Sequence, residues 1–167
     1  LIAVAQNGYA LFNAPEDLQS DPEVILAAFK ENVDGVFRRG TFFDAVLNLV
    51  HLLFVDDAFM LSLCSGNGLA LQYGMSANRT VVLAAVRNNG LALRYASKDL
   101  KADREVVLAA VQNNGHALCF AQEELTDDYG IALAAVGNNG HALQHVSATL
   151  RSDREVVLVA VKKGVCP

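Results

Sequence analysis

The chain has 167 residues, 53% of them hydrophobic and 19% charged, and a formal net charge of −5 at pH 7. No apolar run reaches the roughly 18 to 20 residues that a membrane-spanning helix needs, and the acidic balance argues against a general nucleic-acid binder. The three cysteines lie far apart without metal-ligand spacing, which predicts free thiols in a reducing, intracellular compartment.

The chain opens inside a recurring unit, because LIAVAQNGYAL at 1–11 aligns with LAAVRNNGLAL at 83–93. The unit returns in SDPEVILAAF at 20–29, where Asp21 and then Pro22 are typical of a helix start. At the other end, SDREVVLVAV at 152–161 opens a unit without its second half. Units cut at both ends predict a piece of a longer array or, alternatively, broken repeats that act as end caps.

An irregular insertion occupies about residues 34–56. Within it, TFFDAVLNLVHLLFV at 41–55 has helical spacing and a narrow polar stripe of Asp44, Asn48 and His51. A stripe so narrow predicts burial nearly all round, either as a long helix inside the array or as a docking surface for a partner. The candidate partner-binding residues on this segment are Phe42, Phe43, Val46, Leu47 and Val50.

Regular repeats follow at 57–77, 78–102, 103–127 and 128–152, with a partial one at 153–167. Leu83, Leu108, Leu133 and Leu158 recur every 25 residues, a fixed period that marks a stacked helical array. The interval from Leu61 to Leu83 is shorter by three residues. We predict an all-α fold, an α-solenoid of about six helix-turn-helix pairs, in one domain over residues 1–167.

Each unit contains the signals for two short helices. Asp103 supplies a side-chain oxygen for the unpaired amides of a first helix. Asn-Asn-Gly at 113–115 predicts its end, with Gly115 in the left-handed conformation. A second helix is predicted from apolar residues on one face: Ala117, Leu118, Ala121 and Leu125. Helices of about 10 residues are marginal alone in water, so they must pack on neighbouring repeats.

The unit at 103–125 has the pattern D-x-E-V-V-L-A-A-V-x-x-N-G-x-A-L, and the units at 78–100, 128–150 and 153–161 follow it with substitutions. This pattern resembles an uncharacterised family of α-helical repeats, catalogued as a domain of unknown function and found in algae, protists and some bacteria. The resemblance implies the helical fold and brings no catalytic residue. A looser likeness links the Asn-Asn-Gly loops to the DNA-reading repeats of plant-pathogen effectors. Here the loop residues do not vary between repeats, so they could not encode a base sequence.

Two columns of the repeat supply further candidate partner-binding residues. Tyr73, Tyr95 and Phe120 share an aromatic column with His145, which predicts packing between repeats or a row of rings along a groove. A basic stretch at 78–104 could contact phosphate or an acidic protein surface. Its candidates are Arg79, Arg87, Arg94 and Arg104, accompanied by Lys98 and Lys101.

No nucleophile elbow, phosphate loop or HExxH motif is present. His116 with Cys119, and His141 with His145, have spacings that could hold zinc, but their predicted faces diverge. We therefore expect neither a metal nor another cofactor. The sequence favours a non-catalytic protein–protein interaction or scaffold and linker module, such as a structural subunit of a larger assembly. The alternative is a nucleic-acid-binding helical repeat protein that uses the basic stretch at 78–104.

Overall fold

The computed structural model describes residues 57–164 without a gap and, before them, residues 10, 13–19, 21, 23–24 and 27. The predicted insertion at about 34–56 and its contact residues Phe42, Phe43, Val46, Leu47 and Val50 lie outside the described residues. Within the described ranges the regular structure is helical and contains no strand. The all-α prediction is therefore confirmed.

Helices of three kinds alternate along the described chain. The longer α-helices are α2 (Asp57–Gly66), α3 (Arg79–Asn88), α5 (Arg104–Asn113), α7 (Tyr129–Asn138) and α9 (Arg154–Gly164). Short 3₁₀-helices follow four of them: η1 (Gly68–Tyr73), η2 (Gly90–Tyr95), η3 (Gly115–Phe120) and η4 (Gly140–His145). Single-turn helices are α1 (Glu16–Gln19), α4 (Lys98–Lys101), α6 (Glu123–Thr126) and α8 (Ala148–Arg151).

Each longer helix packs on the next one along the chain, and each 3₁₀-helix packs on the next 3₁₀-helix. Helices α3, α5, α7 and α9 begin at residues 79, 104, 129 and 154, which reproduces the 25-residue period. Neighbouring repeats therefore bury each other, as expected for a solenoid. Repeat-to-repeat packing is the source of the core.

One valine column shows how burial depends on the following repeat. Val86, Val111 and Val136 are fully buried, whereas Val161 in α9 is 53% exposed. The residue type and its place in the helix are the same in all four. The difference is that another described helix packs over the first three. A short helix of this kind is stabilised by its neighbours and has little stability of its own.

The predicted helix starts are confirmed. Asp103 Oδ1 accepts hydrogen bonds from the amides of Glu105 at 2.9 Å and Val106 at 3.1 Å. The same arrangement begins three other helices, at Asn78, Asp128 and Asp153. Each carboxylate or amide oxygen satisfies amides that have no partner within the helix.

The prediction of a continuous second helix is wrong. The segment divides into the 3₁₀-helix η3 and the single turn α6, with extended backbone at Ala121 and Gln122 between them. The extended pair allows the Gln122 amide to donate to the Lys101 carbonyl of the preceding repeat at 2.9 Å. Matching bonds join Ser97 to Ser76 and Ser147 to Thr126. A backbone bond between repeats thus replaces one within a helix.

The predicted left-handed glycines are also not found. Asn114 ends α5 in an extended conformation, and neither Gly90, Gly115 nor Gly140 has a left-handed φ. The glycine is needed for space, because a Cβ on Gly115 would overlap the carbonyl oxygen of Ala135 in the next repeat. Close approach of two backbones is a separate reason for glycine.

The shortened interval before Leu83 has a simple origin. No single-turn helix stands between η1 and α3, where the later repeats have α4, α6 and α8. The chain instead turns at Met75, whose φ of 58° is unusual for a residue with a side chain. The three missing residues therefore come from the connection, and α3 keeps its full length.

Candidate functional site

Asparagine side chains connect adjacent repeats. Asn113 Oδ1 accepts from the amide of Gly90 at 2.7 Å, and its Nδ2 donates to the carbonyls of Arg87 at 2.9 Å and Asn88 at 3.4 Å. The side chain therefore reaches back to the end of α3 and the start of η2. Its acceptor satisfies a glycine amide that is buried between the repeats.

This connection repeats along the array. Asn88 accepts from the Gly68 amide at 2.8 Å, and Asn138 accepts from the Gly115 amide at 2.8 Å. We call Asn88, Asn113 and Asn138 the inter-repeat asparagines. The next position in this column is Lys163, and an ammonium group has no acceptor to offer.

The second asparagine of each loop has a different task. Asn114 Oδ1 accepts from the His116 amide at 3.0 Å and thereby caps η3. Asn89 and Asn139 cap η2 and η4 in the same way, and we call these three the capping asparagines. The loop was predicted as the end of the first helix, and α5 does end at Asn113. The bridging role of the first asparagine was not predicted.

Two arginines of the predicted basic stretch are paired with carboxylates of the following repeat. Arg79 Nε donates to Asp103 at 2.8 Å, and its Nη2 donates to Glu105 at 2.5 Å. Arg104 donates to Asp128 at 2.8 and 3.3 Å. Arg104 reaches one acid only, because Gly130 stands where the preceding repeat has Glu105. These side chains hold the starts of adjacent helices together.

At the start of α7, a tyrosine in place of an arginine makes the contact with the following repeat. The Tyr129 hydroxyl donates to Glu155 Oε2 at 2.6 Å, across the same interval that separates Arg79 from Glu105. The hydrogen bond to this carboxylate raises the pKa of Tyr129 to about 12, because ionisation would place two negative charges side by side. Arg79, Arg104 and Tyr129, which share one column of the repeat, therefore all contact the next repeat.

The other basic candidates have mixed surroundings. The Arg94 guanidinium carbon lies 5.0 Å from the ring centroid of Tyr95 and 5.9 Å from that of Phe120, within the range of a cation–π contact. Lys101 Nζ donates to the Arg94 carbonyl at 2.7 Å. Arg87 and Lys98 are exposed. Much of the charge of the 78–104 stretch is thus engaged within the array.

The aromatic column is brought together in part. Tyr95 and Phe120 are half-buried and share the Arg94 contact. His145, the next member, packs edge-on against His116 with ring centroids 5.8 Å apart. Tyr73 ends η1, and its side chain lies outside the described part of the structure. Phe120 and His145 therefore contact side chains of the preceding repeat.

The histidines and cysteines of the described ranges do not converge on a metal geometry. Burial, and then the proximity of His116, lower the pKa of His145, which favours its neutral form. Cys64 is buried, and burial raises the pKa of its thiol to about 12. In the described ranges no three side chains of His, Cys, Asp or Glu are placed to hold an ion. None of the helices described there is long and apolar enough to cross a membrane.

Shallow depressions lie between successive longer helices. One of about 370 Å³ is lined by Leu108 and Ala109 with polar side chains around them, Arg87, Glu105, Gln112 and Asn113. Another of about 290 Å³ lies one interval earlier and is lined by Asp57, Ala58, Leu61, Asn78, Thr80 and Val81. Both are open to solvent and combine apolar with polar side chains.

The paired arginines predict how stability depends on pH. The hydrogen bonds from Arg79 and Arg104 lower the pKa of Asp103 and Asp128 below their usual range. The stabilisation that these ion pairs give to the fold is therefore complete above about 3.9, the pKa of an aspartate in the unfolded chain. It is lost as pH falls through the lower pKa of the folded state. We expect the stability difference between wild type and Arg104→Gln to be constant near neutrality and to shrink below about pH 4.

Urea unfolding at a series of pH values measures this difference. Arg87→Gln removes the same charge from an arginine that has no carboxylate partner in the described structure, so its effect should show no such loss in acid. A difference for Arg104→Gln that stays constant down to the lowest pH would contradict the assignment.

A protein-family model matches three segments of the chain. The model described as "Domain of unknown function (DUF4116)" matches residues 1–38, 78–126 and 128–166. These segments cover most of the chain and confirm the resemblance to an uncharacterised repeat family. No curated protein and no solved structure matches this chain.

Proposed function

The chain belongs to the family described as a domain of unknown function (DUF4116), and from this premise we propose a non-catalytic protein-interaction or scaffold module. The observation that carries the proposal is the difference between the constant columns of the repeat and the columns that change. The constant polar columns, namely the inter-repeat asparagines, the capping asparagines and the acidic helix caps, make contacts that hold the array together. Surface columns that change from repeat to repeat face solvent, although Glu105 and Glu155 in one of them also accept hydrogen bonds from the preceding repeat.

Two of the changing columns border the 370 Å³ depression. One column reads Thr80, Glu105, Gly130 and Glu155, and the other reads Arg87, Gln112, Gly137 and Lys162. Arg87, Glu105 and Gln112 lie on the rim, around a floor of Leu108 and Ala109. A partner that fits this surface would place an apolar side chain on the floor and a carboxylate beside Arg87. Variable side chains on a rigid array are how solenoids acquire binding specificity.

The test compares Ala109→Arg, which fills the depression, with Ala148→Arg on the exposed surface of α8. The full chain and both variants are used to capture proteins from an extract of the source organism, after circular dichroism shows equal helicity. We expect Ala109→Arg to lose at least about tenfold of the partner's affinity, since a buried charge at an interface is costly, and Ala148→Arg to retain it. Equal capture by all three chains, or no specific partner at all, would overturn the proposal.

The alternative of nucleic-acid binding through 78–104 is tested with the same chain. Phosphate contacts give an affinity that falls steeply with salt. Because Arg79 and Arg104 are already paired with carboxylates, we expect weak binding of DNA and RNA that vanishes near physiological salt. Tight binding with a steep salt dependence, reduced by Arg87→Gln, would favour the alternative over the protein-interaction module.

A further inference from the structure

The Asn-Gly steps of the array are open to spontaneous deamidation, and the fold protects some of them better than others. In an Asn-Gly step the backbone nitrogen of glycine can attack the side-chain carbon Cγ of asparagine. The new C–N bond closes a succinimide ring, the bond to Nδ2 breaks, and the amide nitrogen leaves as ammonia. Water then opens the ring at either carbonyl and gives aspartate or isoaspartate. The attacking nitrogen must lose its proton and move toward the side chain.

Three glycine amides are held away from this reaction. The amides of Gly68, Gly90 and Gly115 are buried and donate to Asn88, Asn113 and Asn138, the inter-repeat asparagines, at 2.8, 2.7 and 2.8 Å. Base must reach the proton, and the peptide must rotate, before the attack can begin. A buried hydrogen-bonded amide reacts only during a local opening of the structure.

The Gly140 amide lacks this protection. The residue that should accept from it is Lys163, which has no acceptor atom. No hydrogen bond from the Gly140 amide is present among the described residues, and Gly140 is half-buried where the other three glycines are buried. The missing acceptor follows from the lysine at 163, which stands where the other repeats have an asparagine.

We propose that Asn139 is the preferred site of spontaneous deamidation in the described part of this chain. The backbone around Asn139 matches that around Asn114, with φ and ψ of −143° and 115° against −147° and 111°. Both side chains cap the following 3₁₀-helix with bonds of 3.0 Å. Conversion at Asn139 would add a charge there and, as isoaspartate, would lengthen the backbone at the start of η4.

The chain contains its own control. Residues 113–118 and 138–143 are both Asn-Asn-Gly-His-Ala-Leu, so the immediate sequence cannot distinguish Asn114 from Asn139. The full chain is incubated in warm, mildly alkaline buffer, and cleavage after glutamate separates the two sites for mass spectrometry. We expect Asn139 to convert at least about tenfold faster than Asn114 in the folded chain, because reaction at Asn114 requires opening. In denaturant the two rates should be equal.

Two variants test the cause. Lys163→Asn restores an acceptor on an exposed part of α9. This variant should slow deamidation at Asn139 to the rate at Asn114. Asn138→Ala frees the Gly115 amide, and it should raise the rate at Asn114. Equal rates at the two sites in the native chain would overturn the proposal, as would a Lys163→Asn chain in which Asn139 converts as fast as before. The second variant is read only if circular dichroism shows that it folds.

Discussion

Replacing Gly115 with alanine is expected to lower the free energy of unfolding by about 3 kcal/mol, the upper range for overpacking a tight contact. The new Cβ would overlap the Ala135 carbonyl oxygen and lie 3.2 Å from the Asn139 Cβ. These are backbone-anchored atoms of the next repeat, and no flexible side chain can move aside for them. Relief requires the two repeats to separate, which also weakens the bond from the Gly115 amide to Asn138.

Gly137→Ala is the matched control for this substitution. Gly137 lies within α7, and a Cβ there would meet only Val159 Cγ1 at 3.8 Å, an ordinary van der Waals distance. Alanine is the better helix former, so we expect a gain of about 0.5 kcal/mol. Urea unfolding followed by circular dichroism measures both changes. If the two substitutions shift stability in the same direction, glycine at 115 is not required for close approach.

Replacing Asn113 with alanine is expected to cost about 2 to 3 kcal/mol, because it leaves a buried donor without a partner and removes further hydrogen bonds. The Gly90 amide loses its acceptor, and the carbonyls of Arg87 and Asn88 lose their donor. The Asn113 side chain itself is exposed, so loss of apolar packing contributes little. The loss of unfolding free energy in Asn113→Ala therefore measures the hydrogen bonds between repeats.

Asn114→Ala provides the comparison at the adjacent position. That substitution removes one cap within the same repeat, at the His116 amide, and a lost cap costs about 1 kcal/mol. Equilibrium unfolding of both variants ranks them. An Asn114→Ala variant that is as destabilised as Asn113→Ala, or more so, would contradict the assignment of bridging to the first asparagine and capping to the second.

Much of the fold follows from residue types whose physics is local. Asp103 and its counterparts were predicted as helix caps, because a short side chain with an oxygen at that place has few other uses. The 25-residue period correctly predicted repeats that bury one another. These predictions depend on one repeat at a time, and the helix starts at 79, 104, 129 and 154 confirm them.

The errors arose where contacts between repeats override local preference. The apolar spacing of Ala117, Leu118, Ala121 and Leu125 favours one helix, yet the backbone at Ala121 is extended, and the next amide bonds to Lys101 of the preceding repeat. Periodicity cannot report a bond whose partner lies 21 residues earlier. In the same way, Gly115 was predicted to adopt a left-handed conformation. The actual reason for glycine at this position is the close approach of the backbone of the next repeat.

The candidate site was predicted less well than the fold, although signals for it were present. A helix end needs only one capping asparagine. The constant pair Asn113 and Asn114 therefore indicated that one of the two has another role. Arg79 precedes Asp103 by the same interval that separates Arg104 from Asp128, which indicates pairing more than a free basic surface. Reading columns against each other, one repeat apart, would have revealed both contacts.

The most direct test of the account is native-state hydrogen exchange at the glycine amides of the loops. If the inter-repeat asparagines hold the repeats together, the amides of Gly68, Gly90 and Gly115 exchange slowly, through larger openings of the array. The Gly140 amide, which faces Lys163 in place of an asparagine, exchanges much faster. Four similar rates, or fast exchange at Gly90 and Gly115, would contradict the asparagine bridges between repeats.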